Sequence, residues 1–498
     1  MNGAQIRADV LHWRPTSGLP SVAALAGGLA LAAAAALAGW ATIEFPELRR
    51  TLLAAALVGN LLVVGIRWPR AAAVLTLLFL PFLALARRLL IFDSAWTSND
   101  PLILVGPAVA AFLLVHVLAG PHPRLRGDLL VKLVTALLAV VILQVFNPVS
   151  DNGIAANVTA LIFLAVPLVW FLVGRELGDR RTVAAVTGAS VVVALVAGVY
   201  GLWQTEVGSL PSWDFKWLQV TGYAALFVGD RGDNVIRPWS TFSSNTEYGA
   251  YVGAALAIAG AFFLHGRIVF ALAAPFLAIA TFFAGGRSSM VLALLALVLL
   301  SAVRMRTIVL GAVVCIVGVA GTLLVAQAFG PRIDRAAGLY GDAIVERNVG
   351  GILNPLDEDT STALSHWASL GNGVAEGFRN PAGHGTAAAT IAGEQREGGK
   401  GIETDNDLAD AFVSLGLVGG LLFAAIVLLT LWRALSGYVA TGDVLVLAIL
   451  GVLTVNLGNW LNGGHYALAS LLWFLAGYAT VRVEPPSLTP PPPGDGRA

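Results

Sequence analysis

Charge is what this sequence has least of for its size. Charged residues make up 12% of 498, against about 25% in an ordinary soluble domain, so a water-facing surface over most of the chain is excluded. The charges also cancel: 30 Lys and Arg against 30 Asp and Glu give a formal net charge of +0. That balance offers no electrostatic footprint for nucleic acid. Cysteine is nearly absent. Cys315 alone rules out a disulfide within the chain and a thiolate metal cluster, and in its apolar run it reads as a small core residue. No internal repeat stands out at the residue level.

Long apolar runs are what remains. Hydrophobic residues reach 57% and mean hydropathy is +0.79, which predicts an all-α polytopic membrane protein. Crossing the hydrocarbon takes roughly 20 apolar residues, and counting such runs gives about fourteen transmembrane helices. The first apolar run, Ser21 to Trp40, is too long for a signal-peptide core and lacks a convincing cleavage site, so it reads as an uncleaved helix near 21–41. The next lie near 51–67, 70–88, 101–120, 129–147, 154–174 and 182–203. After a polar segment they resume near 245–265, 268–285, 288–304 and 307–329. The last three fall near 408–433, 442–460 and 464–482.

The chain thus divides into N-terminal spans (1–204), an outer loop (205–244), a second group of spans (245–330) and a large outer loop (331–407) between the eleventh and twelfth helices. C-terminal spans (408–482) and a Pro-rich, disordered tail (483–498) follow. Orientation is read from Lys and Arg in the short connections. With the N-terminus inside, Arg67, Arg70, Arg124, Arg126, Arg175, Arg180, Arg181, Arg267, Arg304, Arg306, Arg433 and Arg482 fall on the cytoplasmic side. Arg49, Arg50, Arg87 and Arg88 fall on the other side, against the rule. The balance places both long polar segments and the Gly285–Arg287 turn outside the cytoplasm. The many Gly and Ala residues suit close helix packing in lipid and say nothing about chemistry.

Three outward places collect polar groups beside helix ends. The first is RGDNVIRPWSTFSSNTEYGAY, with Arg231, Arg237, Asn245 and Glu247. Its Ser, Thr and Asn residues predict an N-cap, where Arg237 together with free backbone N–H groups would bind an anion. The plain alternative is a solvated arginine or a headgroup anchor. The second is AGGRSSMVLALLALVLL, where Gly285 and Gly286 predict a tight turn and Arg287 stands at the mouth of the next helix. An arginine at that depth is costly unless paired or facing a wet cavity. The third is the long loop. There His366 and Trp367 start a helix running to Phe378, Asn380-Pro381 ends it, and Gly383, His384 and Gly385 form a flexible turn. Glu403, Asp405, Asn406 and Asp407 precede the helix at Leu408, with Asp407 read as its cap.

In this order the pieces resemble the O-antigen ligase and polymerase family of bacterial envelope glycan assembly. RPWSTFSSNTEYGAY is similar to that family's segment before a helix, GGRSSMVLALLALVLL to its small-residue turn, PAGHG to its P-x-G-x-G turn, and DNDLADAFVSLGLVGG to its closing pattern. The likeness covers roughly residues 235–430. It implies a GT-C-like fold in the bacterial cytoplasmic (inner) membrane with the active site facing the periplasm. It also implies glycan transfer from an undecaprenyl-diphosphate-linked donor to an acceptor, without nucleotide sugar, cofactor or metal. The lipid bilayer, a flippase and a chain-length regulator are the implied partners.

Negative charge develops on the diphosphate as the sugar leaves, and arginines can grip it by bidentate pairing. Arg287 is the first candidate, Arg237 the second, and Arg379 or Arg347 the third. The acceptor hydroxyl needs a base within hydrogen-bond reach. Ligases of this family resemble one another in a His-Asn pair before the post-loop helix, where this chain has Asp405-Asn406. Ala363 replaces an arginine found four residues before the loop tryptophan, and His366 precedes that tryptophan. These departures favour a repeat-unit polymerase, with Asp405 or His366 as base and Asn406, His384 and Glu403 contacting substrate. A ligase or protein O-oligosaccharyltransferase is the alternative enzyme reading. A solute transporter of bicarbonate type is the alternative from another class, with His116 and Lys132 as its main ionisable residues inside spans.

Overall fold

The computed structural model describes residues 48–92, 96, 99–121, 123–206, 210–222, 227–228, 235–307, 309, 313, 316–317, 348, 363–390, 402, 404, 406–461 and 465–481. Within them the helices run α1 (Arg49–Arg67), α2 (Pro69–Phe79), α3 (Leu83–Leu89), α4 (Val105–Ala119), α5 (Leu129–Gln144), α6 (Ile154–Leu177), α7 (Arg180–Glu206) and α8 (Ser212–Thr221). After them come α9 (Asn245–Leu264), α10 (Phe270–Phe283), α11 (Arg287–Met305), α12 (Ala363–Arg379), α13 (Asp407–Thr441), α14 (Val444–Val455) and α15 (Tyr466–Ala479). A two-residue antiparallel pair, β1 (Phe227–Val228) with β2 (Val235–Ile236), lies between α8 and α9.

The chain is a multi-pass helical membrane protein. Among the described residues, 8 helical segments are long and apolar enough to cross a bilayer. They are Arg49–Arg67, Pro69–Leu89, Pro101–Ala119, Ile154–Leu177, Arg180–Thr205, Asn245–Leu264, Arg287–Met305 and Asp407–Thr441. Shorter apolar helices are α5, α10, α14 and α15. The spans expected near 21–41 and over most of 307–329 lie outside the described residues, as does the tail.

Small residues decide how closely these helices approach. A Cβ on Gly174 of α6 would come within 2.0 Å of the Phe474 carbonyl oxygen of α15, and one on Gly477 within 2.2 Å of the Phe171 carbonyl oxygen. The two backbones therefore touch, as small residues permit in lipid. On either side Trp170 meets Phe474 and Phe171 meets Trp473 edge to face, at 6.2 and 6.1 Å, the arrangement aromatic quadrupoles favour. Helix α9 is the central column: 83% of its apolar stretch is buried, against 22% for α1.

Ion pairs mark the two ends of the bundle. At one, Asp128 binds Arg175 at 2.6 Å and Arg433 at 2.7 Å, Arg70 binds Asp179 at 3.2 Å, and Arg180 binds Asp443. The run expected to end at Arg433 continues to Thr441, with Arg433 neutralised by Asp128 inside it.

At the opposite end lie the arginines that ran against the charge rule. Arg50 and Arg87 both bind the buried Asp100, Arg87 at 3.1 Å. Arg88, buried completely, binds Asp214 at 2.8 Å. A Lys/Arg count treats these as free positive charge, whereas Asp100 neutralises Arg50 and Arg87 together and Asp214 reaches Arg88 from a distant connection.

Candidate functional site

The end of the bundle that carries Arg88 also holds the described candidate residues, in two groups. In the first, Arg237 follows β2 and its side chain lies on Gly285: a Cβ there would meet the Arg237 Cδ at 2.6 Å. Gly285 has φ +71, a left-handed conformation that glycine adopts without penalty. Gly286 caps α11, so Arg287 opens that helix, with no acidic residue in the first turn. Asn245 donates to the Ala284 carbonyl at 3.3 Å. Asn348, between α11 and α12 in sequence, donates to the Phe282 carbonyl at 2.8 Å. The glycine turn is thus a junction of three remote segments.

The approach to Arg237 is tightly held. Ser240 has φ +52, rare for a residue with a side chain, and the surroundings hold it there from several directions. Gln204 accepts from the Ser240 N–H at 2.7 Å and the Trp239 N–H at 3.2 Å, and the Ser240 hydroxyl donates to the Ala197 carbonyl at 2.6 Å. Arg88 donates to the carbonyls of Ser240 and Phe242. Asp214 in turn accepts from Tyr200 and Gln204, each at 2.7 Å.

The second group surrounds PAGHGT. Helix α12 spans the stretch expected to be helical and stops before Asn380-Pro381. Gly383 and Gly385 have φ +72 and +91, and the turn they make plugs a break in α13. That break is Gly416, at φ 70 and ψ −168, which frees carbonyls from the helical ladder. His384 N–H donates to the Val413 carbonyl at 3.0 Å and Gly385 N–H to Ser414 at 3.1 Å, while Leu417 N–H donates to Pro381 at 3.1 Å. Gln144 and Asn147, at the end of α5, donate to the Ala382 carbonyl at 2.6 and 3.1 Å.

His384 Nε2 lies 2.9 Å from Glu376 Oε1, and Asn380 donates to the same oxygen. The hydrogen bonds from His384 and then Asn380 hold the Glu376 carboxyl below its ordinary range. Arg379 is exposed and 4.0 Å from Glu376. His366 is exposed near the start of α12.

Buried carboxylates join the two groups. Glu247 accepts from Ser243 and from the Ala467 N–H, each at 2.8 Å, which fastens the start of α15. Asp407 accepts from the N–H groups of Trp460 and Leu461, the latter at 3.3 Å. Its expected capping role falls instead to Asn406, whose side chain accepts from the Leu408 N–H at 2.9 Å. Asn406 is thereby engaged in holding α13, with its amide against Gly458. Asp405, Glu403 and Arg347 lie outside the described residues, although Asn348, next to Arg347, reaches the glycine turn.

Sequence reasoning missed Glu376 and His465. The Glu376–Asn380 spacing of one helical turn was a usable signal. His465 carried none. It is buried, and its Nδ1 has no hydrogen-bond partner among the described residues.

The geometry offers two chemical capabilities: cations beside a helix N-terminus, suited to a phosphate group, and an imidazole–carboxylate pair able to take a proton. No protein-family model matches the chain, and no curated protein matches it.

Proposed function

We propose that this chain is a membrane glycosyltransferase that polymerises undecaprenyl-diphosphate-linked oligosaccharide repeat units at the outer face of a bacterial cytoplasmic membrane. The observation that carries the reading is Arg237 lying on Gly285, two residues from Arg287. Guanidinium groups brought to one helix opening are the chemistry that grips a diphosphate, by bidentate pairing and beside free backbone N–H groups, and a lipid-linked diphosphate is an anion delivered at this level of the bilayer.

In the proposed reaction the bond between sugar C1 and phosphate oxygen breaks as C1 bonds to the acceptor hydroxyl oxygen. The diphosphate leaves with the electron pair, stabilised by Arg287 and Arg237, and the hydroxyl proton passes to a base. Among the described residues His384, oriented by Glu376, has the geometry of such a base. His366 has an exposed imidazole, and Asp405 keeps the role its sequence position suggests. A ligase or protein O-oligosaccharyltransferase would use the same parts on another acceptor.

A transporter finds less support. Transporters bind substrate near the midplane on broken helices, whereas His116 and Lys132 are exposed on the outside of the bundle. The one described break with left-handed backbone inside a span, Gly416, lies in the third turn of α13 and is filled by the chain's own turn.

The test is the lipid-linked glycan profile of a strain lacking the protein. Single repeat units should accumulate, and wild-type protein but not Arg287→Ala should restore long chains. Long unattached chains would indicate the ligase, and an unchanged profile would end the proposal.

A further inference from the structure

Helix α12 carries three distinct faces. Gly373 and Gly377 press on α13, where an added Cβ would meet Ala409 and Phe412 at 2.6 Å. Ser365, Ser369, Asn372, Glu376 and Arg379 recur at helical spacing and form a polar stripe. Leu364, Trp367, Gly371, Ala375 and Phe378 recur at the same spacing and form an apolar one. That apolar face is open: Leu364 is 40%, Trp367 71% and Phe378 61% exposed.

Its position says what covers it. Phe378 stacks on Phe412 of α13 at 6.3 Å. A few residues on, Ala382 is held by Gln144 and Asn147 at the end of α5. The neighbouring outward side chains are Leu143 and Phe146, 70% and 67% exposed, and Val418 and Leu421 of α13, 60% and 53%. Leu143 belongs to the apolar helix α5, with Phe146 just beyond its end, and Val418 and Leu421 to the span α13, so outward apolar side chains flank both segments that hold the end of α12. Tryptophan on such a face, with a polar stripe beside it, is the pattern of a helix lying in the plane of a membrane boundary.

We infer that α12 is an interfacial helix whose partner is the lipid bilayer. Leu364, Trp367 and Phe378 enter the boundary between headgroups and acyl chains. The polar stripe, with Glu376 and the His384 it binds, stays on the water side. The inference rests on this surface alone and holds whatever reaction the protein catalyses.

The experiment uses full-length protein in which Cys315→Ser removes the native thiol, reconstituted in phosphatidylcholine–phosphatidylglycerol vesicles. Nitroxide labels are placed singly at Trp367→Cys, Phe378→Cys and Asn372→Cys. Membrane-dissolved oxygen should relax the labels at 367 and 378 more than a water-soluble nickel chelate does, and the order should reverse at 372. Preferential relaxation by the nickel chelate at 367 and 378 would put the face in water. Protection from both reagents would mean that protein covers it, either another copy or another part of this chain. Either outcome overturns the inference. Leu364→Cys provides a second label on the same face should Trp367→Cys disturb insertion.

Discussion

Arg237 rests directly on Gly285, so that any side chain at position 285 would collide with it at 2.6 Å. The positive φ of Gly285 disfavours a side chain independently. Gly285→Ala should therefore cost about 1 kcal/mol or more in backbone strain alone and should displace Arg237. Polymer synthesis should fall sharply while membrane-inserted protein stays near its normal level. Ser288→Ala, at an exposed neighbour, should leave chain length untouched. Normal polymer in the Gly285→Ala strain would mean that the contact has no functional weight.

If Arg237 and Arg287 grip a diphosphate, lysine cannot replace either, since it lacks the planar fork. Arg287→Lys should lower turnover by roughly 100-fold, the usual loss when one preorganised donor to a developing charge is removed. Arg379→Ala, at an exposed residue 4.0 Å from Glu376, should have a smaller effect. Turnover measured on purified lipid-linked substrate ranks the two. A larger loss for Arg379→Ala would relocate the anion site.

The Glu376 carboxyl is held below its ordinary range by His384 and then Asn380. A depressed acid contributes stability that is present above its unfolded value, about 4.3, and is lost as pH falls through its folded value. The Gly383–Gly385 turn should accordingly loosen on acidification below about pH 4.3. Hydrogen exchange of the His384 and Gly385 amides, followed across that range, should show protection declining. In Glu376→Gln the pH dependence should disappear; an unchanged acid limb would assign it to another group.

Arg88 and Asp214 form a buried pair that also clamps the Ser240 and Phe242 carbonyls. Removing one partner of such a pair costs about 3–5 kcal/mol, because the other charge is left buried. Arg88→Met should lower the thermal midpoint in detergent markedly, and Arg88→Met with Asp214→Leu should recover part of the loss. A double variant no better than the single would show that the carbonyl clamp outweighs the ion pair.

Gly416→Ala would place a methyl group 2.2 Å from the Pro381 carbonyl oxygen in a left-handed backbone. The expected cost is of order 1–3 kcal/mol. It should appear as enhanced proteolysis near PAGHG, with the rest of the bundle intact. Unaltered cleavage would show that the turn does not depend on the helix break.

Composition and run length by themselves determined the class of this protein and most helix boundaries. The hydrocarbon core sets a minimum apolar length and penalises charge inside it, and both leave a one-dimensional trace. The glycine turn before Arg287, the N-cap before α9 and the helix ending at Asn380 were equally legible, since turns and caps depend on residues a few positions apart. Tertiary structure alone decided which charges neutralise one another. Asp128 holding Arg433, Asp100 holding Arg50, and Asp214 holding Arg88 join positions far apart in the chain. It alone also set His384 against Glu376 and laid Arg237 on Gly285. Pairing energy depends on distance in space, and local sequence carries no record of which remote segment the bundle will bring alongside.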